Sequence, residues 1–415
     1  MKFLGRHHPG RGALDILKYI GPGFLVTVGF IDPGNWAANV AAGAGWGAAL
    51  LWVVTLSTVM LLILQHNAAH LGIASGLCLS EAATKHLPRW TSRSLLFTAM
   101  VAAAATALAE ILGAAIGLNM LLGLPLPIGS LLTAGCTALM LFSNGYRRLE
   151  RWIIGFVSLI GLAFIAELCL VHVDWHAALR GCVVPVIPPR SLPIVMSVLG
   201  AVVMPSNIFL HSEIIQSRQW NLEDDQVIRR QLKYGFYDTL SAMAAGWVIN
   251  CAMILVAAAA FFSKGIAVTE LQQAHATLKP LAGGGAAFIF ALALVLAGLA
   301  SSITAALAGA SIFAGIYGEP YDMKASRSRM GAGLTIAGGV VGVLLLRDPF
   351  QGLIWSQVAL SIQLPFTVFA LIALTSSREV MGRCANPASH KVSLWAIAAV
   401  VAGLNILLLA DLLKG

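Results

Sequence analysis

Two short segments of the chain place ligand-type side chains beside residues that interrupt a helix. Residues 32–35 read Asp-Pro-Gly-Asn, and residues 204–207 read Met-Pro-Ser-Asn. A proline inside a helix removes an N–H and leaves a carbonyl group of the preceding turn without its partner. We therefore predict two broken helices, with freed carbonyl groups near Gly29 and Ala201. The residues that break the helices are Pro33, Gly34, Pro205, Ser206 and Asn207.

The side chains at these two breaks have the chemistry of a metal site. Asp32 offers a carboxylate and Asn35 an amide oxygen, and oxygen ligands with one negative charge suit a divalent cation. Met204 adds a thioether, a soft ligand that contributes little to binding Mg²⁺ or Ca²⁺ but favours Mn²⁺, Fe²⁺ and heavier ions. A methionine in an apolar helix is more often a packing residue, but its place directly before the second break favours a ligand. The sequence therefore predicts a site for a divalent transition metal.

The elements that must position this site are predicted to be membrane-spanning helices. Hydrophobic residues make up 58% and charged residues 11% of the 415 residues, against about 45–50% and about 25% in soluble globular proteins. Stretches such as 33–80 and 111–146 carry no formal charge, and roughly 20 apolar residues cross a bilayer as a helix. We predict an all-α polytopic membrane protein with about eleven spans. The predicted spans are 17–40, 45–70, 93–121, 128–145, 152–173, 193–217, 236–262, 284–316, 330–346, 350–375 and 392–412.

The distribution of basic residues gives the expected orientation. If the N-terminus lies in the cytoplasm, most of the 26 lysines and arginines fall in cytoplasmic segments, as the positive-inside rule requires. The net charge of +8 then reflects membrane topology, so it does not indicate a nucleic-acid partner. We expect a multi-pass protein of the bacterial cytoplasmic (inner) membrane, with the N-terminus inside and the C-terminus outside.

The two breaks fall in the first and sixth predicted spans, which indicates an internal repeat. Five spans per repeat is an odd number, so the two halves must have opposite orientations in the membrane. Paired broken helices at matched positions are typical of the midplane binding site of secondary transporters. The simpler alternative is that each proline only kinks a packed helix. The predicted organisation is a cytoplasmic segment 1–16, a first repeat 17–173, an inverted repeat 193–375 and an eleventh helix 392–412.

At these motifs the chain resembles the Nramp family of proton-coupled divalent metal transporters, most closely its bacterial manganese transporters. The resemblance covers nearly the whole length and includes further motifs in the second, third, sixth and tenth spans. The residues that carry it are Asp32-Pro33-Gly34-Asn35, Leu64-Gln65, Ala109-Glu110, Met204-Pro205, Leu210-His211-Ser212 and Gln363-Leu364-Pro365. The family's fold is the leucine-transporter-like 5+5 inverted repeat, with broken helices 1 and 6 and, here, one extra helix.

The resemblance implies a ligand set and a substrate. By similarity, Asp32, Asn35 and Met204 bind the metal through their side chains, Ala201 and Gly29 bind through their carbonyl groups, and Gln357 approaches the ion in the occluded state. The expected substrates are Mn²⁺ and Fe²⁺, with Ca²⁺ and Mg²⁺ rejected. No resident cofactor is expected.

The residues expected to move protons depart from the family pattern. Ala107 stands where the family has an aspartate three residues before the third-span glutamate, and Ser206 stands where it usually has a histidine. A proton path through the membrane needs groups that can hold a proton. The candidates are Asp32, Glu110 and His211, with Arg327 or Arg329 as distal partners. The sequence therefore leaves open whether metal transport is coupled to protons.

We predict an importer of divalent transition metals that works by alternating access. Its expected partners are the metal ion, protons if coupling exists, and membrane lipids, with no obligate protein partner. The alternatives are a non-transporting metal sensor or receptor on the same fold, and a metal uniporter or Mg²⁺-transporting relative. An amino-acid carrier of this architecture would favour a neutral site, which Asp32 and Met204 fit poorly. No hydrolytic or redox motif indicates an enzyme.

Overall fold

The computed structural model of the protein describes residues 32–143, 168, 171, 173–217, 225–266, 268 and 270–413. All regular secondary structure in these residues is helical. Short 3₁₀ turns at Gly47–Leu50, Phe262–Lys264 and Gly382–Cys384 separate some of the α-helices. The α-helices are α1 Pro33–Trp46, α2 Leu51–Ser75, α3 Leu79–His86, α4 Arg89–Leu122, α5 Leu126–Ser143, α6 Trp175–Val183, α7 Leu192–Val202, α8 Pro205–Ser217, α9 Asp225–Ala260, α10 Leu271–Ile316, α11 Ser326–Leu345, α12 Pro349–Ser376, α13 Arg378–Met381 and α14 Ala388–Leu412.

The helices agree with the predicted membrane spans wherever the structure describes them. Nine helical segments of the described residues are long and apolar enough to cross a bilayer. One of them, Pro33–Ser75, contains the last third of predicted span one together with span two. Residues 17–31 of span one lie outside the described residues, as does span five (152–173) apart from residues 168, 171 and 173. The prediction of an all-helical polytopic membrane protein is confirmed.

Both predicted breaks begin a new helix at the proline. Asp32 is the N-cap of α1 and Pro33 its first residue, a position that proline tolerates because its missing N–H would have no helical partner there. On the other side, α7 ends at Val202 and α8 starts at Pro205, so Val203 and Met204 form a short non-helical link.

The core surrounds these breaks. α4 and α10 pack along each other extensively, α11 packs against both, and α9 packs against α1 and α2. α12 lies against α7, α1 and α4, so it passes both broken helices. The facing surfaces of α4 and α10 are rich in alanine and glycine, and small residues let helix backbones approach closely inside a membrane.

Candidate metal site

Asp32 is fully buried at the N-terminus of α1. Its Oδ1 accepts a hydrogen bond of 2.6 Å from the backbone N–H of Asn35. Its Oδ2 is also buried and has no hydrogen-bond partner among the described residues. Buried polar atoms are nearly always satisfied by protein, water or an ion. The open Oδ2 is therefore available to a ligand, and the cap at the helix N-terminus fixes where this oxygen points.

The Asn35 side chain is held by an amide cluster that sequence reasoning missed. Its Nδ2 donates to Oδ1 of Asn250 on α9 at 2.5 Å, and its Oδ1 accepts from Nδ2 of Asn39 at 3.1 Å. Asn39 also donates to Asn250 Oδ1 at 2.6 Å, and Asn250 donates to the Gly246 carbonyl at 2.9 Å. An amide oxygen has two lone pairs, and oxygen of this type is a ligand that divalent cations accept.

Part of this cluster had a signal in the sequence. Asn39 lies four residues after Asn35, on the same face of α1, and polar side chains inside an apolar helix indicate function. Asn250 is far away in the sequence on α9, and nothing in its local pattern links it to α1. Only the packing of α9 against α1 brings the three amides together.

The second break contains the predicted thioether ligand and a carbonyl group without its usual helical partner. Met204 is fully buried and packs against Ala102 and Leu360. Its carbonyl oxygen accepts from the N–H groups of Asn207 and Ile208 at 3.2 and 3.3 Å. The residue four positions after Ala201 is Pro205, which has no N–H, so the Ala201 carbonyl loses its usual helical partner. The corresponding carbonyl of the first break belongs to Gly29, which lies outside the described residues.

Gln357 on α12 contacts both α1 and α7. A Cβ atom added at Gly34 would lie 1.9 Å from Nε2 of Gln357, and one added at Gly200 would lie 1.9 Å from its carbonyl oxygen. The side chain thus touches the start of α1 while the backbone touches the end of α7. Oε1 of Gln357 is buried without a hydrogen-bond partner in the part of the chain that the structure describes.

Glu110 on α4 is fully buried, and neither of its carboxylate oxygens has a hydrogen-bond partner among the described residues. Three residues further along α4, a Cβ atom added at Gly113 would lie 1.9 Å from Cβ of Pro33, so α4 passes close to the start of α1 beside Asp32. The proton path through Glu110 stays a prediction.

Ser206 and Ala107, the two residues that depart from the family pattern, make contacts with neighbouring helices. Ser206 pairs through its hydroxyl with Oγ1 of Thr106 on α4 at 3.2 Å. Ala107 is buried against Gly339 of α11. Neither side chain titrates at ordinary pH, so neither can take up and release a proton as a carboxylate or an imidazole does.

The remaining predicted proton-path residues do not form a continuous chain with Glu110. His211 on α8 is buried, and neither of its ring nitrogens has a hydrogen-bond partner within the described ranges. Arg327 forms an ion pair of 2.7 Å with Glu319 and stacks over the ring of Tyr317. Arg329 stacks over the ring of Phe142, 5.2 Å from its centroid. Both arginines are therefore occupied at the first turn of α11.

Polar contacts fasten the end of α8 to the α2–α3 connection. The hydroxyl of Ser212 accepts from the N–H of Leu79 at 2.9 Å. Nε2 of Gln216 donates to the Gly76 carbonyl at 2.9 Å and to Glu81 at 2.7 Å. These contacts hold the C-terminal part of α8 against the α2–α3 connection.

Comparison with known proteins identifies a family and several relatives. A family model described as natural resistance-associated macrophage protein-like (Nramp) matches residues 23–411. A protein from Granulibacter bethesdensis named divalent metal cation transporter MntH is 38% identical over 407 residues, which cover 96% of this chain and 89% of the relative. A protein of the same name from Caldanaerobacter subterraneus is 36% identical over 403 residues, with 96% and 94% covered.

Solved structures share the fold. A crystal structure of a mutant manganese transporter from Eremococcus coleocola matches with a TM-score of 0.84 and 26% identity, covering 98% of this chain and 89% of the other. Mhp1, a nucleobase-cation-symport-1 family transporter in a closed conformation, matches with a TM-score of 0.63 and 15% identity over 92% and 90% of the two chains. The second match shows only that the fold is common to transporters with different substrates.

Proposed function

This chain belongs to the Nramp family, and from that premise we propose that it imports divalent transition-metal ions, with Mn²⁺ as the principal substrate and Fe²⁺ as a further one. The observation that carries the proposal is a buried carboxylate oxygen without a protein partner in the described residues, Oδ2 of Asp32. It lies where α1 begins, and Gln357 touches both the start of α1 and the end of α7. The names of the MntH relatives support the substrate class, and the likeness to the manganese transporter of Eremococcus coleocola supports Mn²⁺.

The proposed ligands are the six groups expected from the sequence. Asp32, Asn35 and Met204 contribute side chains, Gly29 and Ala201 contribute carbonyl groups, and Gln357 closes over the ion. Their chemistry supports discrimination: Mg²⁺ keeps its water shell and prefers oxygen, whereas Mn²⁺ and Fe²⁺ accept a thioether more readily. Burial of the described members of the set supports a site that the ion enters only after losing water.

The proposed mechanism is alternating access between two inverted repeats, 17–173 and 193–375, with helix 392–412 outside them. Binding of the ion bridges α1 and α7–α8, and rearrangement of the helices around it opens the cytoplasmic side. The positive-inside distribution supports a cytoplasmic N-terminus and an outer C-terminus in a bacterial inner membrane.

We propose further that protons are not tightly coupled to the metal. The sequence has no titratable side chain on α4 between Arg93 and Glu110, and none on α11 after Arg329. Where the two helices meet, Ala104, Ala107 and Leu108 of α4 lie against glycines of α11. Apolar side chains cannot bind a proton, so this contact contains no group that could relay one.

The test compares two aspartates that have the same local structure. Asp32 and Asp348 each cap a helix that begins with proline, and each accepts from the N–H three residues later, but Asp348 is exposed. Replacing either with alanine removes a cap worth about 1 kcal/mol. We expect Asp32→Ala to abolish Mn²⁺ uptake into proteoliposomes and Asp348→Ala to retain it. Normal Mn²⁺ flux in Asp32→Ala would refute the site.

A further inference from the structure

A cavity between α4 and α12 is formed by residues that the metal site does not use. Its volume is about 470 Å³, and it lies between the first turns of α4 and the last turns of α12. Phe366, the wall residue nearest to Gln357 along α12, follows it by nine residues, which is about 14 Å along a helix. The cavity is thus separate from the proposed ligands. Its walls include Trp90, Ser94, Thr98, Phe366, Phe369 and Ala373.

The open side of the cavity faces lipid. Trp90, Phe366 and Phe369 are 83%, 55% and 40% exposed, and α4 and α12 are both long and apolar enough to cross a bilayer. Apolar side chains on the outside of such helices contact acyl chains, which are as apolar as leucine. The volume of the cavity falls within the range of small-molecule sites, about 300–1,000 Å³, so the cavity can hold part of an acyl chain.

A polar contact closes one end of the cavity. Nε2 of Gln363 on α12 donates to Oγ1 of Thr98 on α4 at 3.4 Å. From this contact the walls extend toward Trp90, the second residue of α4, and toward Ala373, which lies three residues before the end of α12. The other end of the cavity therefore lies where both helices reach the membrane surface, at the level of lipid headgroups.

Three arginines stand next to that end of the cavity in the sequence. Arg89 and Arg93 directly precede the wall residues Trp90 and Ser94, and Arg378 follows the end of α12 by two residues. All three arginines are exposed, and within the described ranges none of them forms an ion pair with an acid. The helix dipole favours acids at the start of a helix, so the stability of α4 does not explain Arg89 and Arg93.

We propose that the cavity binds one anionic phospholipid, with part of an acyl chain between α4 and α12 and the phosphate at Arg89 and Arg93. Basic pockets between membrane helices on the cytoplasmic side bind anionic headgroups in this way. The orientation given with the proposed function puts these arginines on the cytoplasmic side, and the proposal depends on that orientation only for the leaflet that supplies the lipid. The bound lipid bridges the helices that carry Glu110 and Gln357.

The test is native mass spectrometry of the full-length protein in neutral detergent, titrated with phosphatidylglycerol and, separately, with phosphatidylcholine. We expect one phosphatidylglycerol molecule to bind more tightly than any phosphatidylcholine. Arg89→Gln combined with Arg93→Gln should weaken this binding about 25-fold, because each basic residue near an anionic lipid contributes about fivefold. The matched control is Arg229→Gln combined with Arg230→Gln, an exposed pair near the start of α9, which should bind like the unmodified chain.

A second pair of variants tests the cavity without changing any charge. Ala373→Trp fills the cavity near the helix ends, whereas Ala244→Trp puts the same side chain on the outside of α9; both alanines are exposed. We expect Ala373→Trp to lose the tightly bound lipid and Ala244→Trp to keep it. Thermal unfolding in detergent without added lipid should be the same for the two variants, which shows that both are folded.

Four outcomes would overturn the proposal. Phosphatidylcholine that binds as tightly as phosphatidylglycerol would show that the headgroup charge is not recognised. Displacement of the lipid by an equal concentration of glycerol phosphate would show a site for a soluble phosphate. Unchanged lipid binding in Ala373→Trp would show that the cavity is not the site, and equal losses in the two arginine pairs would show general surface attraction. None of these measurements uses metal uptake, so a chain that binds the lipid but takes up no Mn²⁺ would count against the proposed function alone.

Discussion

Met204 is the residue that would bring a sulfur atom to the proposed ligand set, whose other members are oxygen atoms. Its side chain is buried between α4 and α12, in contact with Ala102 and Leu360, so it has packing value as well as chemistry. A test must separate the packing role of Met204 from its proposed role as a metal ligand. Leucine is close to methionine in volume, and such swaps usually cost less than about 1.5 kcal/mol of stability, whereas alanine would leave a cavity.

We therefore expect Met204→Leu to fold and still move Mn²⁺, while losing discrimination against Mg²⁺ and Ca²⁺. The reason is that the remaining ligands are hard oxygen atoms, which bind all three ions. The measurement is Mn²⁺ uptake in the presence of excess Mg²⁺ or Ca²⁺. Selectivity that matches the unmodified chain would mean that Met204 is only a packing residue.

The sequence could predict the candidate ligands but not the groups that hold them. Asp32, Asn35 and Met204 stand beside prolines that signal a break, so their local pattern was sufficient. Asn250 and Thr106 have no such pattern. Their partners, Asn35 and Ser206, lie on other helices, and contacts between distant helices are set by tertiary packing.

At the scale of the elements, the close contact of α12 with α7 fixes the second break. The Gln357 carbonyl occupies the space that a side chain at Gly200 would need. Glycine weakens a helix by about 1 kcal/mol relative to alanine. Its presence in α7 therefore indicates that close approach to α12 matters more at this position than the stability of α7 itself.

We expect Gly200→Ala to destabilise the protein by about 1–3 kcal/mol through overpacking. We also expect it to reduce Mn²⁺ uptake, because the added methyl group would push α7 and α12 apart. Thermal unfolding in detergent and an uptake assay measure the two effects. The matched control is Gly135→Ala on α5, where an added Cβ meets nothing within 4 Å. A Gly200→Ala protein as stable as the Gly135→Ala control would contradict the close contact.

For the whole molecule, the sequence predicted the fold better than it predicted a proton path. Charge-free stretches marked the spans, and the prolines at 33 and 205 marked both breaks. The sequence also suggested Arg327 or Arg329 as distal partners of the proton path, but packing determines whether they can serve. Gly339 is the residue of α11 that packs against Ala107 of α4. Arg327 lies twelve residues before Gly339, about 18 Å along α11, and it pairs with Glu319.

The function proposed for this chain is the movement of Mn²⁺ across a membrane without a tightly coupled proton. Its most direct test is Mn²⁺ uptake into proteoliposomes with simultaneous recording of internal pH. We expect the internal Mn²⁺ signal to rise while the internal pH stays close to its starting value. Acidification in step with Mn²⁺ entry would contradict the proposed lack of coupling, and the absence of Mn²⁺ entry with the intact chain would contradict the proposed transport itself.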